Sequence, residues 1–415
     1  MIYLFIHENF PGQYEHIVRH LAEQDGNTIY SIAHSNTVEM DGVHSFTYAR
    51  QKYGPLNCHP LTVPLDSAIR NGVSVSEICR KLRDEQGVYP DLIVGHCGWG
   101  ETLFVKDLFP DALVLTYFEF YYHPHGVDLD FDPEFASLFA EPDRLRVRNA
   151  VSLMAAESTD WGHTATQWQR SLLPPELRKR VTVIHEGVDT DLICPSAKAT
   201  LKLPGSGLTL KKRDEVITYT ARNLEPYRGF HTFMRAIPEI LRRRPKAQIV
   251  IVGGDEVSYG SPAPPGTTYR ELMLAEIGTS IDHSRVHFLP KLEYATYIRL
   301  LQVSSAHVYL TYPFILSWSF IEAMAAGCLV IGSATPPVLE VLDDGVNGLT
   351  VDFFSPEQIA ERVDQVFAHP DRMQDLRNAA RQTALDRYDL KRLQIPRWMA
   401  LLDDLANGRR PALNP

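Results

Sequence analysis

The sequence predicts an α/β protein with two domains, each built on a mainly parallel sheet. Apolar segments of strand length alternate with stretches of helical spacing, which is typical of βαβ units. In the first half these segments are Ile2–His7, Thr28–Ala33, Leu92–Gly95 and Leu113–Tyr117. In the second half they are Val216–Thr220, Ala247–Val252, Arg285–Phe288, Ala306–Leu310, Leu329–Ile331 and Leu349–Val351. A chain of 415 residues is long enough for two hydrophobic cores.

The predicted domains cover residues 1–196 and 214–390. Residues 197–213 are rich in Gly, Lys and Leu and show little periodicity, so they are predicted to form the interdomain connection. Residues 391–415 contain a last helical segment.

Composition argues against nucleic-acid binding and against strong membrane binding. Residues 1–200 contain 16 Lys and Arg against 27 Asp and Glu, and residues 201–415 contain 25 against 24. Neither half predicts the basic face that nucleic acid requires. No apolar run approaches the ~20 residues that span a bilayer, so at most weak peripheral contact with the inner face of a membrane is expected. The five cysteines are scattered singly, which favours neither disulfides nor structural zinc and fits the cytoplasm.

The segment from Arg222 to Gly229 has the properties of an anion-binding loop. It joins the predicted strand that ends near Ala221 to a predicted helix over 230–244. Free N–H groups at the start of a helix attract phosphate, and two guanidinium groups suit a diphosphate. For this segment alone, solvated surface arginines are an equally good interpretation.

A helix is predicted from Ser317 to Ala326, ending at Gly327. This places Glu322 in its first turns, where a carboxylate can accept hydrogen bonds from two vicinal hydroxyls such as those of ribose. The alternative is a surface acid that only complements the helix dipole.

Together these residues resemble family 4 of the retaining glycosyltransferases. The resemblance lies in Glu322-Ala-Met-Ala-Ala-Gly327, in the six-residue spacing of Arg222 and Arg228, and in Val183-Ile-His-Glu-Gly-Val-Asp189. The N-terminal run Phe5-Ile-His-Glu-Asn-Phe-Pro-Gly-Gln13 is similar to one bacterial subgroup with a Phe-Pro-Gly-Gln motif. The family implies the GT-B fold, in which two Rossmann-like domains face each other and the last helix crosses back to the first domain.

The resemblance also implies a function and site residues. The function is transfer of a hexose-type sugar, with retention and without a metal or other cofactor, from a UDP- or GDP-sugar to a hydroxyl of a glycan, lipid-linked or small-molecule acceptor. Diphosphate contacts are expected from Arg222, Arg228 and Gly12, and ribose contacts from Glu322. The base is expected to lie against Gly253, Gly254, Leu289 and Pro290.

Position 314 departs from the family pattern. Family members usually carry a glutamate eight positions before the residue that corresponds to Glu322, and it binds a donor-sugar hydroxyl, whereas this chain has Phe314. Phenylalanine accepts no hydrogen bond, so Ser317, Ser319 or backbone N–H groups are expected to hold the sugar, with Trp318 offering an apolar face. One hypothesis is a donor that lacks, or orients differently, the usual hydroxyl.

A second departure follows the strand Leu113–Tyr117. Relatives often place a histidine there, whereas this chain has Glu119, with His123 nearby. Either side chain is a candidate for assisting catalysis; the alternative for Glu119 is a structural ion pair. Trp99, Glu101 and Tyr121 follow strand ends and are expected on the acceptor side, although a Trp99 packed beneath its loop fits equally well.

The run from Gly126 to Glu134 alternates acids with apolar residues. Asp128, Asp130 and Asp132 match a short metal-binding pattern of another glycosyltransferase fold, but the alternation favours a loop with solvated carboxylates over a metal site.

Two other functions remain compatible with the sequence. The same two-domain fold supports nucleotide-sugar epimerases and hydrolases, and the missing glutamate is compatible with a non-catalytic nucleotide-sugar-binding subunit.

Overall fold

The protein is described by a computed structural model that covers residues 1–36, 39–49, 59–135, 142–205 and 207–414. By their internal contacts these residues form two units. The described residues of the first unit lie within Met1–Pro124, Phe139–Gly187 and Lys391–Pro415. Those of the second lie within His125–Leu138 and Val188–Leu390.

In chain order the strands of the described residues are β1 (Ile2–Ile6), β2 (Asn9–Phe10), β3 (Thr28–Ala33), β4 (Ser35–Asn36), β5 (Val43–Thr47), β6 (Leu92–His96), β7 (Leu113–Tyr117), β8 (Trp161–Thr164), β9 (Val181–Val183), β10 (Thr200–Lys202), β11 (Thr209–Lys211), β12 (Val216–Asn223), β13 (Gln248–Gly254), β14 (Val286–Leu289), β15 (Ala306–Tyr309), β16 (Val330–Ser333) and β17 (Leu349–Val351).

The α-helices of the same residues are α1 (Glu15–Ala22), α2 (Val63–Gln86), α3 (Val105–Leu108), α4 (Pro142–Glu157), α5 (Gln167–Leu172), α6 (Pro175–Arg178), α7 (Phe230–Arg243), α8 (Tyr269–Ile277), α9 (Tyr294–Val303), α10 (Trp318–Ala325), α11 (Pro336–Leu339), α12 (Pro356–Ala368), α13 (Pro370–Tyr388) and α14 (Ile395–Ala406). None of the helices in the described part of the chain combines the length and the hydrophobicity that crossing a bilayer requires.

The first unit is built on a parallel sheet with the strand order β5-β3-β1-β6-β7-β8-β9. The chain adds strands outward from β1 to β5 and then returns to the other side of β1 with β6. The order therefore reverses between β1 and β6, which is the Rossmann-like arrangement and the place where such sheets bind ligands.

Both faces of this sheet are covered, as strand alternation requires. Tyr3 and Phe5 pack in one cluster with Trp398 and Leu402 of α14, so this last helix belongs to the first unit. Leu4 and Ile6 point to the opposite face. Packing on both faces therefore fixes the sheet, and the loops that follow its strands start from fixed positions.

The second unit repeats the design with the order β14-β13-β12-β15-β16-β17, again parallel throughout. Its order reverses between β12 and β15. The loops that follow these two strands contain Arg228 and Phe314, so residues far apart in sequence meet at one end of the sheet.

The expectation of an α/β fold with two parallel, Rossmann-like sheets is confirmed. The predicted strands occur with ends shifted by three residues at most, and the helix predicted over 317–326 occurs as α10. Three strands of the first sheet were not predicted: β5, β8 and β9. They read Val-His-Ser-Phe-Thr, Trp-Gly-His-Thr and Val-Thr-Val, which are too polar or too short to stand out. Residues 197–213 contain the antiparallel hairpin β10–β11.

The acidic segment 125–134 belongs to the second unit, and the prediction that its carboxylates are solvated is wrong for two of them. Asp128 and Asp132 are buried. Asp128 accepts a hydrogen bond of 2.7 Å from the Tyr227 hydroxyl, and Asp132 one of 2.7 Å from the Tyr312 hydroxyl. Glu134 pairs with Arg235 at 2.7 Å. The segment is anchored on the second unit through these carboxylates.

Gly229 makes the turn between β12 and α7 possible. Its φ of +66° is one that side chains rarely adopt, and a Cβ atom there would lie 2.4 Å from Leu310 Cβ. The glycine thus lets the start of α7 approach the end of β15.

Substituting Asp132→Asn should lower the free energy of unfolding by about 2 kcal/mol, because a buried hydrogen-bonded carboxylate is replaced by an amide that cannot accept from His231 and Tyr312 in the same way. Urea unfolding measures this. The matched control is Asp130→Asn, an exposed neighbour expected to change stability by less than about 0.5 kcal/mol. Equal effects would contradict the anchoring role.

The difference in unfolding free energy between the unsubstituted protein and Asp132→Asn should depend on pH. Burial raises the pKa of Asp132, but hydrogen bonds from His231 and Tyr312 bring it below its ordinary value. A lowered folded-state pKa contributes stability above the unfolded pKa, and this contribution is lost as the pH falls through the folded value. The stability difference should therefore hold at neutral pH and shrink only below about pH 4.

Substituting Gly229→Ala should lower the free energy of unfolding by about 3 kcal/mol, because both the positive φ and the approach to Leu310 oppose a Cβ atom. Gly266→Ala is the control: its φ is +83°, yet no atom lies within 4 Å of the added Cβ, so about 1 kcal/mol is expected. Similar losses at both positions would show that the close approach to Leu310 is unimportant.

Candidate functional site

Arg228 is a buried guanidinium at the loop end of the second sheet. Its Nη1 donates to the Thr311 hydroxyl at 2.7 Å, to the Ile315 carbonyl at 3.0 Å and to the Tyr309 hydroxyl at 3.3 Å. Among the described residues it forms no ion pair with a carboxylate. The interpretation as a solvated surface arginine is therefore wrong for Arg228, whereas Arg222 is exposed.

Glu225, in the same loop, holds a second loop in place. Its buried carboxylate accepts hydrogen bonds of 3.0–3.1 Å from the backbone N–H groups of Ser258, Tyr259 and Gly260. This places the Tyr259 ring 5.2 Å from the Arg228 guanidinium carbon. No local sequence pattern indicates this role, because the partners lie more than thirty residues away and offer only backbone atoms.

The start of α10 is linked to Arg228 through one hydroxyl. The Ser317 N–H donates to the Tyr309 hydroxyl oxygen at 2.8 Å, the same oxygen that Arg228 contacts. The Ser317 and Ser319 hydroxyls lie 3.0 Å apart, and Trp318 is 44% exposed. The cation and the amino end of a helix thus lie side by side, and both favour an anion.

Phe314 lies in an aromatic cluster at this end of the sheet. Its ring centroid is 5.5 Å from that of Tyr227 and 5.1 Å from that of Tyr259. Tyr227 in turn stacks on Tyr312 at 4.5 Å. The side chain is buried, so position 314 is filled by packing where relatives are expected to present a carboxylate.

Glu322 lies in α10 with both carboxylate oxygens engaged. Oε1 accepts a hydrogen bond of 2.7 Å from the Tyr294 hydroxyl, and Oε2 one of 2.9 Å from the Tyr297 hydroxyl. Burial raises the pKa of Glu322, while these two hydrogen bonds act in the opposite direction. The carboxylate is half-buried and is therefore more than a surface complement to the helix dipole.

The residues expected around the base lie at the ends of β13 and β14. A Cβ at Gly253 would lie 2.7 Å from Leu224 Cδ2, and one at Gly254 would lie 2.5 Å from Asn223 Oδ1. Both glycines thus serve close packing of the strand end against the β12–α7 loop. Leu289 is buried and Pro290 is exposed.

In the first unit, a hydrogen-bonded chain runs from His7 to Glu119. His7 Nδ1 accepts from the Asn9 N–H at 3.0 Å, so Nε2 carries the proton and donates to Gln13 Oε1 at 2.6 Å. Gln13 Nε2 donates to Glu119 Oε1 at 3.1 Å. Burial, with the nearby His96, lowers the pKa of His7 to about 3, so His7 is neutral at physiological pH. Gly12 packs against the His7 ring.

His96 approaches Glu119 from the neighbouring strand β6. Its Nδ1 accepts from the Gly98 N–H at 2.9 Å, which leaves the proton on Nε2. That atom lies 3.4 Å from Glu119 Oε2, within ion-pair distance but without hydrogen-bond geometry. Trp99 stacks on the His96 ring with centroids 4.1 Å apart. Glu119 is 26% exposed and is thus an accessible carboxylate between two fixed polar groups.

Other candidates of the first unit serve packing in this structure. Glu101 is buried and accepts a hydrogen bond of 2.7 Å from the Tyr48 hydroxyl. Tyr121 packs against the core on the α4 side of the sheet. His123 Nε2 lies 2.7 Å from the Leu172 carbonyl oxygen, to which it donates. None of these three lies in the His7–Gln13–Glu119 chain.

The described residues include no group of three or more His, Cys, Asp or Glu side chains arranged to hold a metal ion.

Two glycosyltransferase families match different parts of the chain. Residues 25–193 match the family described as Glycosyl transferase family 4 group. Residues 208–383 match the family described as Glycosyl transferases group 1.

The curated relatives share about a quarter of the aligned residues with this chain. A D-inositol 3-phosphate glycosyltransferase of Mycobacterium sp. (strain KMS) is 25% identical over 189 residues, which are 46% of this chain and 40% of that protein. One of Segniliparus rotundus is 23% identical over 57% of this chain and 48% of that protein. The chain thus spans less than half the length of these relatives.

Solved structures agree in fold over nearly the whole chain. The HepE protein of Anabaena in complex with UDP-glucose has a TM-score of 0.68 and 15% identity over 97% of this chain and 100% of its own. A sucrose-phosphate synthase of Thermosynechococcus elongatus has a TM-score of 0.71 and 17% identity over 98% and 100%. These likenesses bear out the GT-B fold class. The chain therefore contains one region that matches a family 4 glycosyltransferase group and a second region that matches the glycosyltransferases of group 1.

Proposed function

We propose that this protein transfers a hexose-type sugar from a UDP- or GDP-sugar to a hydroxyl of a glycan, lipid-linked or small-molecule acceptor, with retention and without a metal. The observation that carries the proposal is the buried Arg228, whose described hydrogen-bond partners are all neutral. A buried cation without a paired anion is unfavourable, so this position favours an anionic ligand.

The donor diphosphate is proposed to bind between Arg228 and the start of α10. The guanidinium and the positive end of the helix dipole offset the charge that grows on the departing nucleoside diphosphate. Arg222, exposed at the end of β12, is a further proposed diphosphate contact of this unit. The diphosphate contact expected of Gly12 stays a prediction. The UDP-glucose complex of the similar Anabaena protein supports a nucleotide-sugar donor.

The ribose is proposed to bind Glu322, and the base to lie against Gly253, Gly254, Leu289 and Pro290. The sugar lies beside Ser317, Trp318 and Ser319. Because the buried Phe314 and its aromatic neighbours replace a hydroxyl acceptor, we propose a donor whose sugar lacks, or orients differently, the hydroxyl that relatives bind. A deoxysugar fits this description.

Glu119 is proposed to assist catalysis from the first unit by orienting or deprotonating the acceptor hydroxyl. Its position supports this role: the carboxylate is partly exposed, Gln13 donates to one of its oxygens, and His96 lies 3.4 Å from the other. His123 is a weaker candidate, because its ring is held by the Leu172 carbonyl. Trp99 offers an apolar ring face for an acceptor sugar.

Substituting Arg228→Lys should weaken binding of UDP or GDP at least about tenfold, because an ammonium cannot reproduce the planar fork. Titration calorimetry measures the affinity, and thermal melting checks that the fold is kept. Arg242→Lys, an exposed position of α7, is the control and should bind as the unsubstituted protein does. Unchanged affinity in Arg228→Lys would remove the proposed diphosphate contact.

Substituting Glu119→Gln should lower kcat about 100-fold while leaving the affinity for the donor unchanged, since the amide cannot accept a proton. Glu85→Gln, at an exposed site near the end of α2, should leave both unchanged. Turnover that survives in Glu119→Gln would assign Glu119 a structural role only.

Mass spectrometry of incubations with sugar nucleotides tests the reaction as a whole. UDP- and GDP-linked hexoses and deoxysugars are supplied with glycan, polyol and D-inositol 3-phosphate acceptors, with and without excess EDTA. We expect acceptor-dependent product, unaffected by EDTA, with a deoxysugar donor preferred. A new sugar nucleotide formed without acceptor would indicate epimerisation instead, and binding without any product a non-catalytic subunit. Better turnover of UDP-glucose and GDP-mannose than of every deoxysugar would overturn the donor proposal.

A further inference from the structure

Two tyrosines of α9 face the carboxylate of Glu322. Tyr294 and Tyr297 are three residues apart, so their side chains share one face of the first turn of α9. Their hydroxyls bind different oxygens of Glu322, at 2.7 and 2.9 Å. Their rings are stacked, with centroids 6.1 Å apart. The two hydroxyls and the carboxylate thus form one hydrogen-bonded group.

We infer that Tyr294 and Tyr297 are positioning residues that fix Glu322 for reading the two vicinal hydroxyls of the donor ribose. The inference rests on the proposed function, since it requires a nucleoside diphosphate at this site. It adds to that function a reason why a ribonucleotide should be preferred to a 2′-deoxyribonucleotide.

The hydrogen-bonding capacity of a carboxylate permits this role. Two oxygens offer about four acceptor positions, and each phenol occupies one position on one oxygen. One position on each oxygen therefore remains for a ribose hydroxyl. Because the two phenols hold different oxygens, they also fix the rotation of the carboxylate plane.

Glu322 differs from the structural carboxylate of Glu225 in its exposure and in the groups that donate hydrogen bonds to it. Glu225 is only 1% exposed, and three backbone N–H groups surround it. Glu322 is half-buried and held from the α9 side. Its phenolic donors come from side chains, one of them from Tyr294, which is itself 50% exposed. This arrangement leaves Glu322 accessible while holding it still.

The phenols also favour the ionised form of Glu322, which accepts hydrogen bonds on both oxygens. Burial raises its pKa, and the hydrogen bonds from Tyr294 and Tyr297 oppose that rise. These phenols are the groups of α9 that face it, and α10 contains no other ionisable side chain. Without them the pKa would rise further, and a protonated Glu322 would lose an acceptor position.

The test compares nucleotides that differ by one hydroxyl. UDP, GDP and their 2′-deoxy counterparts are titrated calorimetrically into the full chain and into Tyr294→Phe, Tyr297→Phe and the double variant. Each substitution removes one hydroxyl and keeps the ring. Tyr3→Phe, which removes a hydroxyl from the first sheet, is the matched control.

The unsubstituted protein and Tyr3→Phe should bind the ribonucleotide about tenfold more tightly than the deoxyribonucleotide, because a hydrogen bond to a charged group is lost with the hydroxyl. The double variant should lose most of this ratio. Its ribonucleotide affinity should also fall off at a higher pH on acidification than that of the unsubstituted protein.

The outcomes distinguish failure of the positioning role from failure of the proposed function. If no nucleotide binds to the unsubstituted protein, the proposed function fails. If the nucleotides bind with a ribose preference that both single variants and the double variant retain, with an unchanged pH profile, the positioning role is overturned and the proposed function stands.

Discussion

The organisation of the second unit's loop end depends on the buried guanidinium of Arg228. Through Tyr309, Thr311 and Ile315 it joins the loop after β12 to the loop after β15, the two loops at which the strand order reverses. The only carboxylate in its own loop, Glu225, is committed to three backbone N–H groups. The cation is therefore hydrogen-bonded to neutral groups, and Glu225 acts on it electrostatically without forming a direct ion pair. The proposed diphosphate contact follows from that placement, and the start of α10 and the Tyr259 ring lie beside it.

The first unit uses a different chemistry at the equivalent end of its sheet. Here the carboxylate of Glu119 is an accessible charged group. The neutral His7 donates a hydrogen bond to Gln13, which in turn donates to Glu119. The lowered pKa of His7 makes it a fixed hydrogen-bond donor that does not change charge near neutral pH. One chain thus contains a loop end with a buried cation and a loop end with a carboxylate, and the proposed function assigns the first to the departing anion and the second to the acceptor hydroxyl.

The sequence predicted the features that depend on local pattern. Apolar periodicity predicted β1, β3, β6 and β7 of the first sheet, the strands of the second sheet and α10, and the spacing of Arg222, Arg228 and Glu322 indicated the region of the candidate site. It could not predict features that depend on long-range partners. The burial of Asp128 and Asp132 depends on Tyr227 and Tyr312, about a hundred residues or more away in the sequence. The same acidic alternation would be solvated if those phenols were absent. The tyrosines on Glu322 were missed for the same reason. The roles of the site residues stay predictions.

Because Glu225 anchors residues 258–260, the sequence of this loop can change during evolution more easily than its backbone path. The anchor recognises main-chain amides, which every residue except proline provides. Side chains in this short loop can therefore be exchanged while its path beside Arg228 is kept. Tyr259 stands in that loop, next to Phe314, in the neighbourhood assigned to the donor sugar. Under the proposed function, exchange of one or two side chains in this loop would change the sugar preference while Glu225 keeps the backbone in place.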